Sequence, residues 1–167
     1  MEESMFVKRI GSMAILFILL AFPASASMVS FLMVETGLGD EISSGQYTSL
    51  WEGGLMDAFF DAGHIVTNSP ITRMEKKPDR DLSGQVASDF DEAVSWGTDY
   101  FILGFLEYQV QGKVAVPVDI ALKVYHAGTQ KLVCEQRFPA GTGKTLDDEY
   151  KLAQKAGRTI ISQLAKR

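Results

Sequence analysis

The chain is poor in the residues that build covalent staples and metal centres: it has one cysteine, Cys134, and two histidines, His64 and His126. A single thiol rules out an internal disulfide and any site made of several cysteines. The histidines share no ligand spacing, so neither a metal nor a cofactor is expected. Basic charge is also scarce, with 16 Lys and Arg against 21 Asp and Glu and a formal net charge of -5. Phosphate backbones are held by basic patches, so no nucleic-acid partner is expected. A Gly-x-Ser-x-Gly elbow is missing, which leaves hydrolase chemistry unsupported. The apolar run at Met13–Phe22 is about half the roughly 20 residues that span a bilayer.

That run nevertheless has a setting. Lys8 and Arg9 precede it, and Ala24-Ser25-Ala26 follows with small residues where a signal peptidase reads them. The pattern predicts a signal peptide over 1–26, with Ala24 and Ala26 in the recognition positions and Ser27 as the new N-terminus. Retention as an anchor is the alternative, disfavoured by length. No cysteine adjoins the site to carry a lipid. Residues 27–167 are then expected to form one periplasmic or otherwise exported domain without stable membrane insertion; its oligomeric state is left open.

Within that domain, Met28–Val34 is nearly all apolar and reads as a strand covered on both faces. Trp51, Leu55, Met56, Phe59 and Phe60 follow a helical stripe that Gly63 stops, although Gly53 and Gly54 weaken it. Ile65-Val66-Thr67 is a second strand. The charged stretch Ile71–Arg80 reads as an exposed loop. A helix through Leu82, Val86, Phe90, Ala93 and Val94 follows, with Asp81 or Ser83 as its N-cap. Tyr100–Tyr108 is apolar on both alternating sets, as in a central strand. Val114 to Val124 alternates with one buried face, Pro117 marks an edge or bulge, and a turn at Ala127-Gly128-Thr129 leads into Lys131–Phe138. Thr145 caps a last helix with Asp147, Asp148 and Glu149 in its first turn, where acids complement the helix dipole; Leu152, Ala156, Ile160 and Leu164 form its apolar stripe. The expected fold is α/β bordering on α+β, a mixed sheet of about five strands with three helices in the order β-α-β-α-β-β-β-α.

Three segments carry a resemblance: Leu50–Phe60 with Gly63-His64-Ile65-Val66, then Gly97-Thr98-Asp99-Tyr100-Phe101-Ile102-Leu103-Gly104, then Val118–Tyr125 with its Gly128-Thr129 turn. Their order resembles bacterial envelope domains of the TolB N-terminal, LpoB and CsgG type. The resemblance implies a noncatalytic role in envelope assembly through protein contacts. The chain lacks the lipid-bearing cysteine of LpoB and CsgG, the propeller of TolB and the long hairpins of a pore.

Several constellations invite chemistry. Gly141-Thr142-Gly143-Lys144-Thr145 ends like a phosphate loop, but the first glycine of that motif would fall on Phe138, so a turn that delivers the Thr145 cap is the simpler reading. Glu107 and Asp119 each interrupt an apolar strand. Symmetric counting about the turn at Gly112 sets Glu107 opposite Val118 and turns Asp119 to the other face, so an acid and base pair requires a slip in register. Cys134 sits in a strand pattern as a core thiol. His64 and His126 lie at strand ends, where a ring satisfies backbone groups. Arg73, Lys76, Lys77 and Arg80 form the candidate interaction surface. The function expected is that of a noncatalytic envelope protein with an envelope protein partner. The alternative is a small-ligand-binding module using a cleft near the loop from Pro70 to Asp81 and the turn at Gly141.

Overall fold

The computed structural model describes residues 26–38, 46–112 and 114–166. The elements in chain order are β1 (Met28–Thr36), α1 (Gln46–Asp61), β2 (Ile65–Asn68), β3 (Thr72–Met74), α2 (Gly84–Ser95), β4 (Tyr100–Gln111), β5 (Val114–His126), a 3₁₀ turn (Ala127–Thr129), β6 (Lys131–Pro139) and α3 (Leu146–Leu164). The sheet has six strands in the order β2-β1-β4-β5-β6, with β3 also on β1. The expected class and helix count hold. The added strand is β3, inside the stretch assigned to an exposed loop: Val34, Glu35 and Thr36 continue beyond the end of β2 and take Thr72, Arg73 and Met74 as parallel partners.

Strands β1, β2 and β4 are parallel, and β4, β5 and β6 are antiparallel. Strand β1, interior to the sheet, is buried along almost its whole length, which is why its sequence shows no alternation. On one face, here face one, Phe31, Met33, Ile102, Leu106, Ile120, Leu122 and Val124 meet Trp51, Leu55 and Phe59 of α1 and Ala153, Ala156 and Ile160 of α3. Face two sets Leu32, Val34, Phe101, Leu103, Phe105 and Ala121 against Val86, Phe90 and Ala93 of α2. Each large side chain so removed from water contributes roughly 1.5 to 3 kcal/mol.

Helices α1 and α3 lie side by side in the same direction. Their contact explains the glycines that weaken α1 in isolation: a Cβ on Gly54 would stand 2.7 Å from that of Ala153, and one on Gly157 2.7 Å from that of Ala58. Two expected core positions are on the surface. Phe60 closes the α1 stripe in sequence but is 68% exposed, and Val94 is 39% exposed at the end of α2. In both cases the preceding residue, Phe59 or Ala93, takes the buried position, and the next residue is turned about 100° round the helix, away from the core.

The β4–β5 ladder contains a bulge at Glu107/Tyr108. Glu107 therefore pairs with Asp119, and Tyr108 with Pro117, leaving Val118 unpaired and 40% exposed. Two corrections follow. Glu107 does not face Val118, and the buried alternation expected over Val114–Val124 holds only from Ile120 onward. Pro117 marks this bulge, as its missing donor suggests.

Candidate functional site

The Gly141–Thr145 loop has the geometry of an anion cradle that the protein fills with its own carboxylate. Glu149, in the first turn of α3, is 1% exposed. Its Oε1 accepts from the amide of Gly141 at 2.6 Å and from the Trp51 indole at 2.8 Å, and its Oε2 accepts from the amide of Gly143 at 2.9 Å. Phosphate would need those same amides. Thr145 forms the expected cap as a full capping box: its hydroxyl accepts from the Asp148 amide and the Asp148 carboxylate accepts from the Thr145 amide, both at 3.1 Å. Lys144 is exposed beside this arrangement.

A second polar cluster lies at the carboxyl ends of the parallel strands. The crossovers through α1 and α2 run over opposite faces, so β1 and β4 flank the switch point at which open α/β sheets bind ligands. Here the chain fills that point. Gly37, with φ 81°, presses on β4 so closely that a Cβ would meet the Tyr108 carbonyl oxygen at 2.3 Å, and Leu38 is buried in the core. Beneath it, Glu35 is 2% exposed. It accepts from the Thr48 hydroxyl at 2.5 Å, and Arg73 Nε approaches its other oxygen at 3.6 Å. The Tyr108 hydroxyl joins at 2.8 Å from Thr48. Burial, helped by the Glu35 charge and opposed by the Thr48 bond, pushes that phenol up to about 12. Nearby, burial pushes the Glu52 carboxyl up against a hydrogen bond from Asn68, and Glu52 Oε1 is buried without a hydrogen-bond partner.

On face two the segment Met74–Ser83 straps the sheet where α2 does not reach. Lys123 Nζ donates to Asp81 at 2.5 Å and stands 3.7 Å from Glu135, while the Tyr125 hydroxyl donates to the same Asp81 oxygen at 2.7 Å. Burial raises the Asp81 carboxyl, but the Lys123 and Tyr125 bonds and nearby positive charge outweigh it and hold the group below the usual range. Burial lowers Lys123, but the Asp81 hydrogen bond and the charges of Asp81 and Glu135 outweigh it and shift the group upward. Lys77 lies 4.9 Å from the Phe105 ring centre, and burial together with the Lys123 charge lowers it. Asp81 is therefore a strap anchor. The helix cap falls to Ser83, whose side chain bonds to the Arg80 carbonyl and makes no cap bond.

The sequence-derived candidates disperse. Arg73 reaches Glu35, Lys77 reaches Phe105 on the opposite face, and Lys76 and Arg80 are exposed. The two parts of the suggested cleft are held differently: Asp81 is tied to face two, whereas Gly141 is tied to Glu149 on face one, the side on which Ile71 also packs. The bulge does bring Glu107 and Asp119 opposite one another, and Arg137 engages Asp119 at 2.7 Å. Cys134 is buried and bonds to Gln163. His64 stacks near Phe59 with Nδ1 buried and unpartnered, contrary to the backbone bond expected, and His126 packs edge-on to Tyr100. Ala26 and Ser27 precede β1, and Ala24 lies outside the described residues. Among the described residues no group of three or more His, Cys, Asp or Glu could hold a metal, and no helix is long and apolar enough to cross a membrane.

Glu35 and Lys123 had no assigned role in the sequence, Asp81 was read as a possible helix cap, and Glu149 as one of three acids facing the helix dipole. A charge inside an apolar run was the available signal for Glu35 and Lys123. Glu149 was hidden among first-turn acids.

A protein-family model described as "Uncharacterised protein" matches residues 29–166. The chain belongs to that family. No curated protein matches it. Among solved structures it is similar to the PelC dodecamer from Paraburkholderia phytofirmans, at 11% identity and TM-score 0.49, over 83% of this chain and 87% of that one. It is similar to TolB from Acinetobacter baumannii at 15% identity and TM-score 0.38, over 86% of this chain but 28% of that one. The LpoB C-terminal domain from Salmonella enterica matches at 13% identity and TM-score 0.39, over 72% of this chain and 87% of that one. TolB and LpoB are two of the proteins whose pattern the sequence resembles.

Proposed function

We propose that the chain is an exported, noncatalytic envelope protein that works through protein contacts in envelope assembly or maintenance. The observation that carries this reading is the junction between leader and fold. The predicted cut after Ala26 falls immediately before Ser27, whose carbonyl accepts from the Ile65 amide at 3.0 Å, and β1 starts at Met28. Removal of 1–26 would leave every described strand and helix whole, with 27–167 as one domain. The noncatalytic part of the reading is supported by where the polar groups point. Glu149, Glu35 and Asp81 are turned inward onto amides, hydroxyls and cations of the fold itself. Lys76 and Arg80 on the strap are the basic side chains left to meet an acidic partner.

The test has two readouts. Exported material should begin at Ser27 on N-terminal sequencing; a Met1 start would overturn the localisation. Mild crosslinking in cells should capture an envelope protein, and the capture should fall with Lys76→Glu plus Arg80→Glu. Unchanged capture would move the contact away from the strap, and capture of no envelope component would count against the whole reading.

A further inference from the structure

We infer that the end of the fold where the leader joins is a surface that rests on a lipid bilayer. The inference depends on the export reading above. Parallel strands β1, β2 and β4 all start at this end, and α1, α2 and α3 all finish there. Asp99 fixes it by accepting from the Met28 amide at 2.8 Å and, through its carbonyl, from Ala127 at 2.9 Å. Around the entry of Ser27 stand Phe60 at 68% exposure, Ile65 at 56%, Trp96 at 55% and Leu132 at 46%.

Their arrangement indicates the occupant. Phe60 lies in the last turn of α1 on face one, Trp96 follows α2 on face two, and Ile65 and Leu132 lie on the two opposite edge strands. The apolar groups thus ring the end on four sides. A groove-binding partner would need them on one side, whereas a plane approached end-on meets them all. Trp and Phe are the side chains that favour the boundary between headgroup and acyl chain. Ser27, where the predicted leader joins, sits at this end next to the β2 edge, its carbonyl accepting from the Ile65 amide at 3.0 Å. On the export reading, the uncut leader with Lys8, Arg9 and the Met13–Phe22 run tethers this end to the membrane. Among the described residues the exposed charges nearby, Asp61, Glu92 and Asp99 against Lys131 and Lys166, form no basic cluster, so the surface suits zwitterionic lipid.

The full chain is mixed with phosphatidylcholine vesicles carrying acyl-brominated lipid, and tryptophan emission is followed. Trp51 is fully buried and serves as the internal control. The expected result is quenching of Trp96, absent in Trp96→Phe, with partition about tenfold weaker in the Phe60→Ser plus Ile65→Thr variant, since both side chains would lose apolar contact with lipid. Unshifted Trp51 emission shows that this variant is folded. Vesicle binding with Trp96 unquenched means a leader-only tether and overturns the proposal, as does unweakened binding by the double variant. Tighter binding to phosphatidylglycerol vesicles with Trp96 unquenched would overturn it too. A Met1 start of exported material sinks the export reading separately, whatever the quenching shows.

Discussion

The two faces of the sheet are closed by different physics. Face one is covered by α1 and α3, which approach closely enough to require Gly54 and Gly157, and it buries Trp51, Phe59 and Ile160 completely. Its buried carboxylates, Glu35 and Glu149, are almost fully enclosed. Face two has one helix, and the area α2 leaves open is closed by a strap held through Asp81, Lys123 and Tyr125. The same strand serves both: β5 gives Ile120, Leu122 and Val124 to face one, and Asp119, Lys123 and Tyr125 with Ala121 to face two. Apolar area dominates where two helices are available. Ion pairs and hydrogen bonds complete the closure where one is not.

The largest effect is expected from Ile160→Asp on face one. A charge at a fully buried position costs several kcal/mol, on the order of the whole stability of a domain, so urea denaturation should find the variant largely unfolded. A wild-type midpoint would mean that α3 does not seal this face. Next comes Glu149→Ala, which leaves the Trp51 indole and the amides of Gly141 and Gly143 without their acceptor. Buried donors left unpaired cost roughly 1 to 3 kcal/mol each; with partial access of water, about 3 kcal/mol in all is expected. A loss below about 1 kcal/mol would show that the loop draws nothing from its internal anion.

On face two, Asp81→Asn should cost less, about 1 to 2 kcal/mol, because the network is partly solvated. Its pH dependence gives the sharper test. The folded carboxyl is held below its unfolded value of about 3.9, so its contribution is fully present above that value and is lost as pH falls through the lower folded one. Wild type and Asp81→Asn should therefore differ at pH 7 and converge in acid. A constant gap would remove the ion pair from the account of this face. The smallest effects belong to the α3 cap. Thr145→Ala should cost about 1 kcal/mol, and Lys144→Ala should leave both the melting temperature and nucleotide binding unchanged. Saturable micromolar nucleotide binding lost in Lys144→Ala would revive the phosphate-loop reading.

Legibility in the sequence followed the range of the interactions. Strand β1, the double-sided apolar set of Tyr100–Tyr108, the Thr145 cap and the stripe of α3 were readable because each depends on neighbours within a few residues. Strand β3 was missed because Thr72–Met74 has no strand pattern of its own and pairs only because β1 extends past β2. The Glu107 and Asp119 pairing was missed because a bulge shifts the register by one, and a shift of one reverses faces. The basic set Arg73, Lys76, Lys77 and Arg80 is contiguous in sequence, but the chain crosses from the sheet edge to face two within it and divides the set.

The sequence by itself determined the acidic balance, the order of the helices and of the strands other than β3, and most of the core, since hydropathy and local period are properties of short segments. Tertiary structure alone decided which polar groups were consumed. Glu149 reads as a first-turn acid until the Gly141–Gly143 amides and Trp51 converge on it, and Gly37 reads as a loop glycine until it packs against the Tyr108 carbonyl and fills the switch point. Those outcomes depend on groups distant in the chain meeting at hydrogen-bond and van der Waals range, and no local pattern encodes that distance.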